Sequence, residues 1–190
     1  MTAPRVFYWS DIHVAHLRVS TIRGFDSTEE HDAYIEDAIR RTVKPGDLLY
    51  LLGDTGVSQF HTRVLPLLAS LPGRKRLITG NHDPVHPQHR RTFARELPRW
   101  LEVFETIAPY ERRKLNGHTF LMSHYPYEEW GEGPARGGKA AARDVQYRLP
   151  DLGTPLLHRH THGTERAHGH ELHVGVEAWR DGAVPQQLRS

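Results

Sequence analysis

No cysteine occurs among the 190 residues. That absence removes disulfides, thiolate metal ligands and a cysteine nucleophile together, and it suits a reducing compartment. Any metal ion would have to be held by His, Asp, Glu or Asn. Long apolar runs are missing as well: nothing approaches the roughly 20 apolar residues that span a bilayer. The opening "MTAPRVFYWSDIH" holds no apolar stretch of signal-peptide length. The expectation is a soluble, cytoplasmic chain with no membrane partner. An excess of one charge is lacking too, with 25 basic residues against 23 acidic and a formal net charge of +2. A pI of about 9.0 on so small an excess is weak ground for a nucleic-acid surface, so nucleic acid is a partner kept open but not favoured. With 37% hydrophobic and 25% charged residues the composition is globular, and the length suits one domain over residues 1–190.

What is abundant is histidine, at 15 residues, five of them in "LLHRHTHGTERAHGH" (156–170). That tract alone fits a metal site, a loose histidine-rich segment or a solvated loop. The rest of the chain decides what it belongs to. "RVFYWS" (5–10) reads as a buried strand running into "DIH". "STEEHDAYIEDAIRRTV" (27–43) carries a capping box, Ser27 with Glu30, and then apolar residues at helical spacing. "LLYLL" (48–52) is a strand emptying into "GDTG", and "FHTRVLPLLASL" (60–71) a helix whose early part Pro66 weakens. "KRLITG" (75–80) is a third strand, delivering "NHDP". Beyond it come a helical region around "HPQHRRTFAREL", strands "VFETIA" (103–108) and "HTFLMS" (118–123), a helix over 137–149, and short strands in "TPLLHRHTHG" and "ELHVGVEAW" (171–179).

Five strand ends thus carry Asp11 and His13, Asp54, the run Asn81, His82 and Asp83, then His124, and finally His160 and His162. In α/β sheets, ligands gather outside the carboxyl ends of the strands, where loops converge on a rigid frame. Mixed Asp and His donors suit Mn, Fe or Zn, whereas oxygen-only sets suit Mg or Ca. Residues two apart in a strand share a side, so Asp11 with His13, and His160 with His162, are each expected to act as a pincer.

The ordered motifs D-x-H, GD, GNHD, a lone His and H-x-H resemble those of the calcineurin-like metallophosphoesterase superfamily, in its small single-domain bacterial and phage branch. They run from residue 11 to residue 162. The resemblance implies an α/β fold of four layers, α/β/β/α, with two mixed sheets face to face and helices outside. It also implies two divalent metals, Mn first and Fe or Zn as alternatives. Asp11, His13 and His162 would hold one metal and Asn81, His124 and His160 the other, with Asp54 bridging both. Metals about 3.5–4 Å apart would activate a bridging hydroxide for in-line attack on phosphorus. His82 would assist the leaving group, with Asp83 or Asp11 orienting its ring.

Carried over in this way, the function is a phosphodiesterase acting on small diesters such as 2′,3′-cyclic nucleotides. A non-catalytic scaffold of the same fold and a nuclease for longer nucleic acid are the alternatives. The first would have lost ligands, and the second would want a basic groove longer than "GRKR" (73–76) or "ERRK" (111–114). Two departures from the family pattern stand out. "GDTGV" lacks the acidic residue that often follows the second motif, and Arg159 replaces the glycine usual before H-x-H. Arg159 is expected to point away from the pincer, with a phosphate contact as the alternative. His158 shares the alternation but has no counterpart in the motif and is assigned a supporting role. His16, His168, His170 and His173 are read as surface or loop residues, with approach to the site as the alternative for His16, which recurs in this branch near the first motif. Arg23 is open between a phosphate contact and a solvated loop, and Tyr125 and Tyr127 are read as core.

Overall fold

The computed structural model describes residues 4–115, 117–127, 144–160 and 164–179. Its first sheet is built from β1 (Val6–Trp9), β2 (Leu48–Leu52), β3 (Arg74–Ile78) and β4 (Thr106–Ala108), in that spatial order and parallel throughout. All five residues of β2 are buried, as a strand covered on both faces requires. Leu49 and Leu51 join Phe7, Trp9 and Leu77 in a core under the helices, while Leu48, Tyr50 and Leu52 face the second sheet.

The helices supply the outer layer. In α2 (Thr28–Thr42) the Ser27 hydroxyl accepts from the Glu30 amide at 3.1 Å, and Ile35, Ala38 and Ile39 are buried. Residues 60–71 are helical as expected but begin as a wide π turn (Phe60–Val64) before α3 (Leu65–Ser70), with Pro66 in the first turn of α3. A short helix α1 (Leu17–Ile22), unforeseen in the sequence, starts on His16. Only Phe93–Trp100 of the region before β4 forms a regular helix, α4.

The second sheet has the order β5-β6-β7-β9-β8 and mixes parallel and antiparallel pairs. Its strands are β5 (Tyr110–Leu115), β6 (His118–Ser123), β7 (Leu156–His158), β8 (Ala167–His168) and β9 (Glu171–His173). Two sheets flanked by helices are therefore present, the expectation of mixed pairing holding for the second and the first being purely parallel among the described residues. Phe120, Met122, Leu157 and Val174 meet Tyr8, Tyr50 and Ile78 between the sheets. At the far end a bridge between Ser10 and Gly175 ties β1 to the segment after β9.

Several boundaries differ from the sequence reading. β5 lies where only a basic cluster was noted, because its alternation is of charged residues rather than apolar ones. The strand expected over 171–179 ends at His173 and gives way to a 3₁₀ turn (Val176–Trp179). The expected helix over 137–149 falls largely outside the described residues, as does His162.

Candidate metal centre

The three parallel strands β1, β2 and β3 end at the same level, and the loops that leave them stay paired. The Asp11 amide donates to Gly53 O, that of His13 to Asp54 O and that of Val14 to Thr55 O, at 3.1, 3.1 and 2.9 Å. The pincer expected of Asp11 and His13 fails in its stated form. Neither residue lies within a strand, with φ of 54° and 46°, and His160, beyond the end of β7, has 86°; its expected partner His162 lies outside the described residues. Asp54 is left-handed as well, with a φ of 53°. Such backbone costs on the order of 1–3 kcal/mol per residue and persists where the surroundings over-determine it, typically at functional sites. Convergence of the side chains is thus achieved by strained loops rather than by strand alternation.

Two glycines let the loops approach. A Cβ on Gly53, whose φ is 84°, would stand 2.5 Å from His124 Nδ1 and 2.6 Å from the Gly80 backbone. One on Gly80 would meet the Asp54 side chain and lie 2.6 Å from its amide. The "GD" and "GNHD" glycines are therefore packing requirements of the site.

Around Asp54 the polar atoms form two adjoining groups. Donor atoms of Asp11, His13 and Asp54 lie within 4.8 Å of one another, all three residues buried. His13 Nε2 is 3.4 Å from Asp11 Oδ1. On the other side His124 Nε2 is 3.5 Å from Asp54 Oδ2 and 3.2 Å from Asn81 Oδ1. His160 Nδ1 is 3.3 Å from that same His124 nitrogen. The remaining ring nitrogens are occupied: His124 Nδ1–H donates to Leu52 O at 2.8 Å, and His160 Nε2 lies 3.3 Å from the Asp144 carboxylate. Each ring therefore turns its other nitrogen inward, the arrangement that fixes the tautomer of a metal-ligating histidine.

The electrostatics favour a cation. Burial pushes His13 down to about 4, leaving a neutral imidazole with a lone pair to give. Burial is the largest single influence on both Asp54 and His124 and opposes their charge, but it is outweighed by the sum of their neighbours: His124, His13 and His82 lower the Asp54 carboxyl, and Asp54, Asp11 and the bond to Leu52 O raise the His124 imidazole. Carboxylate, imidazole and amide oxygen in this proportion fit a divalent ion of the Mn, Fe or Zn kind. Asp11, His13, Asp54, Asn81, His124 and His160 could hold such ions between them; His162 lies outside the described residues.

His82 stands at the rim, its side chain 40% exposed and its Nε2 3.9 Å from Asp54 Oδ2. Its amide donates to Asp54 Oδ1 at 3.0 Å, and the rings of His13 and His16 are near, at 5.9 and 6.4 Å. His16 thus borders the site instead of the open surface. Asp83 does not orient His82. One of its oxygens accepts from the Asp54 and Gly80 amides and the other from the Thr55 amide and hydroxyl, at 2.8–3.1 Å. Burial, then the nearby Asp54 charge, raise its pKa to about 6. It staples the loops after β2 and β3 together.

Arg23 and Arg159 both depart from what the sequence left open. Arg23, only 5% exposed, is neither solvated nor aimed at the rim: its Nη2 donates to Asp11 O at 2.7 Å and its Nε to Glu177 at 3.0 Å. Arg159 points inward and is fully buried, with Nε 3.4 Å from Asp11 Oδ2 and Nη2 on Glu177. His173, read as a surface residue, is buried against Arg159, with 2.8 Å between Nη1 and Nε2. His158 is buried with its Nε2 3.8 Å from Glu171, and His168 and His170 pair with Glu165 and Asp151 at the surface. Tyr125 and Tyr127 are buried. The sequence reading missed Asp144 and Glu177, because an acid in a helical turn and one in an apolar-rich stretch carry no motif.

A family model described as calcineurin-like phosphoesterase matches residues 4–181. The Gene 66 protein of Mycobacterium phage L5 is 35% identical over 187 residues, covering 91% of this chain and 86% of the phage protein. That of Mycobacterium phage D29 is 32% identical, covering 97% and 94%. Among solved structures, the protein of unknown function AQ665 from Aquifex aeolicus matches in fold, with a TM-score of 0.66 at 24% identity over 97% of this chain and 95% of that one.

Proposed function

The chain belongs to the calcineurin-like phosphoesterase family, and on that premise we propose that it is a two-metal phosphodiesterase acting on small diesters such as 2′,3′-cyclic nucleotides. In this reading Asp11, His13 and His162 serve one metal position, Asn81, His124 and His160 the other, and Asp54 both. The observation that carries it is Asp54: its buried carboxylate lies within donor distance of two separate histidine-bearing groups and beside His82. Divalent ions bound there would polarise phosphoryl oxygens and lower the pKa of water toward neutrality. Mn is the proposed ion.

The chain's own groups do the rest. His82, half-exposed above Asp54, would give a proton to the leaving oxygen, a role that its exposure at the rim supports. Charge favours a diester. Among the described residues, the two arginines that contact Asp11, Arg23 and Arg159, are buried and engaged with it and with Glu177, so neither reaches toward a dianionic monoester. A singly charged diester asks for less cationic clamping. Decay to a non-catalytic scaffold would have cost donors, and the described ones are intact.

The test compares metal-stripped protein, with and without Mn, on bis(p-nitrophenyl) phosphate, p-nitrophenyl phosphate and 2′,3′-cyclic nucleotides. Mn-dependent turnover is expected, faster on the diesters. His82→Ala should lower that turnover by about a hundredfold while leaving metal content unchanged. Equal turnover by the variant would remove His82 from the chemistry, and faster monoester cleavage would overturn the diester preference.

A further inference from the structure

We infer that Arg159, Glu177 and Arg23 form a buried ionic tie that positions Asp11, and through it the metal position Asp11 shares with His13. The inference rests on the proposed metal-centre reading, which it deepens by naming what sets one metal's affinity. Arg159 and Glu177 are positioning residues in this account.

Arg159 has no exposed side-chain surface. A guanidinium stays charged when buried, so its place in the core must be compensated by partners. Among the described residues these converge on it: Asp11 Oδ2 at 3.4 Å from Nε, His173 Nε2 at 2.8 Å from Nη1, and Glu177 Oε2 on Nη2. Burial, and next the Arg159 charge, push His173 down to about 2, so its ring accepts as a neutral group. Glu177 passes the contact on, its Oε1 accepting from Arg23 Nε at 3.0 Å and Nη2 at 2.8 Å. Arg23 returns to the start, donating to the Asp11 carbonyl at 2.7 Å and approaching His31 Nε2 at 2.8 Å.

Asp11 is therefore held twice, at its carboxylate by the charge of Arg159, an ion-pair contact at 3.4 Å, and at its carbonyl by a hydrogen bond from Arg23, with Glu177 joining the two arginines. Among the described residues, two guanidiniums face two carboxylates here. Space for the arrangement comes from Gly175, where any Cβ would fall inside the Arg159 side chain and 2.6 Å from its Cζ. The bridge from Gly175 to Ser10 brings this segment alongside β1, and the Ser10 hydroxyl donates to the same Asp11 Oδ2 at 2.6 Å. A buried ion network of this kind is seldom needed for stability, since apolar replacements of similar volume often serve as well. The Arg159 charge and the Arg23 hydrogen bond hold in place what they touch. Here that is a left-handed aspartate whose carboxylate faces His13.

The test is calorimetric titration of Mn into the metal-stripped full-length chain, for wild type, Arg159→Met, Arg159→Lys and Glu177→Gln. The expected result is a loss of about tenfold or more at one of two Mn positions, the other keeping its affinity, with partial recovery in Arg159→Lys. Unchanged affinities would overturn the inference, and so would an equal fall at both positions in step with the melting temperature, which is general damage. Should Arg159→Met fail to fold, the near-isosteric Glu177→Gln carries the same test; failure of both to fold would make the tie structural and overturn the inference. Mn binding by wild type with unaltered variants defeats the tie alone, whereas wild type binding no Mn defeats the proposed function as well.

Discussion

His173 shows how burial, more than residue type, assigns roles among the histidines. Its ring is 1% exposed, and its pKa falls from the ordinary 6.5 to about 2, chiefly through burial and then through Arg159. In the unfolded chain the same ring takes up a proton near pH 6.5. The stability it contributes as a neutral group is therefore fully present above pH 6.5 and is lost as pH falls toward about 2. At about 1.4 kcal/mol per pH unit, wild type should lose roughly 2 kcal/mol between pH 6.5 and 5 from this group. His173→Asn, which offers Arg159 an acceptor that does not titrate, should lose less over the same interval. Thermal unfolding of both proteins at the two pH values measures the difference; parallel slopes would contradict it. Nothing in "LLHRHTHGTERAHGH" or in "ELH" distinguishes a buried imidazole from a donor. The distinction arises because β7 stops at His158 and the backbone turns left-handed at His160.

At the scale of elements, the loops after β2 and β3 act as one unit: Asp83 staples them, and Gly53 and Gly80 lie in contact. Gly80→Ala should destabilise the chain by about 1–3 kcal/mol through overpacking and should also abolish tight Mn binding, since its Cβ displaces Asp54. Thermal unfolding together with Mn titration checks this, and full Mn affinity in the variant would contradict it. β1 and β2 were legible in the sequence because each is an apolar run of strand length followed by polar residues, and β3 because its apolar end, Leu77 and Ile78, runs into "TGNHD". The order of the motifs likewise pointed to loops that the structure brings near one another, His162 lying outside the described residues. β5 was not legible, because Glu111, Arg112, Arg113 and Lys114 alternate without an apolar face, Tyr50 supplying a buried hydroxyl for Glu111 and Arg113 instead. Left-handed turns at Asp11, His13 and Asp54 were equally hidden, since neither aspartate nor histidine announces them.

For the molecule as a whole, the two sheets meet over Tyr8, Tyr50, Phe120 and Met122 and bring their loop-bearing ends to one place. Asp11, Asp54 and Asn81 come from the first sheet and His124 and His160 from the second, so the site forms only when both sheets have packed. The basic clusters seen in the sequence disperse on folding. Lys75 is buried with its ammonium on Leu71 O and Gly73 O, while Arg76 and Arg113 join Glu111 around Tyr50. The position of Arg159 was the least accessible feature from sequence, because the residues that receive it, Gly175 and Glu177, lie beyond β8 and β9 and carry no motif. The central claim is that this two-sheet frame assembles a two-metal hydrolytic site. Its most direct test is turnover of bis(p-nitrophenyl) phosphate by metal-stripped protein as Mn is titrated back with bound Mn counted. The account predicts no turnover without metal and a rise that is complete at two bound Mn per chain; turnover that persists in the stripped protein, or is complete at one, would contradict it.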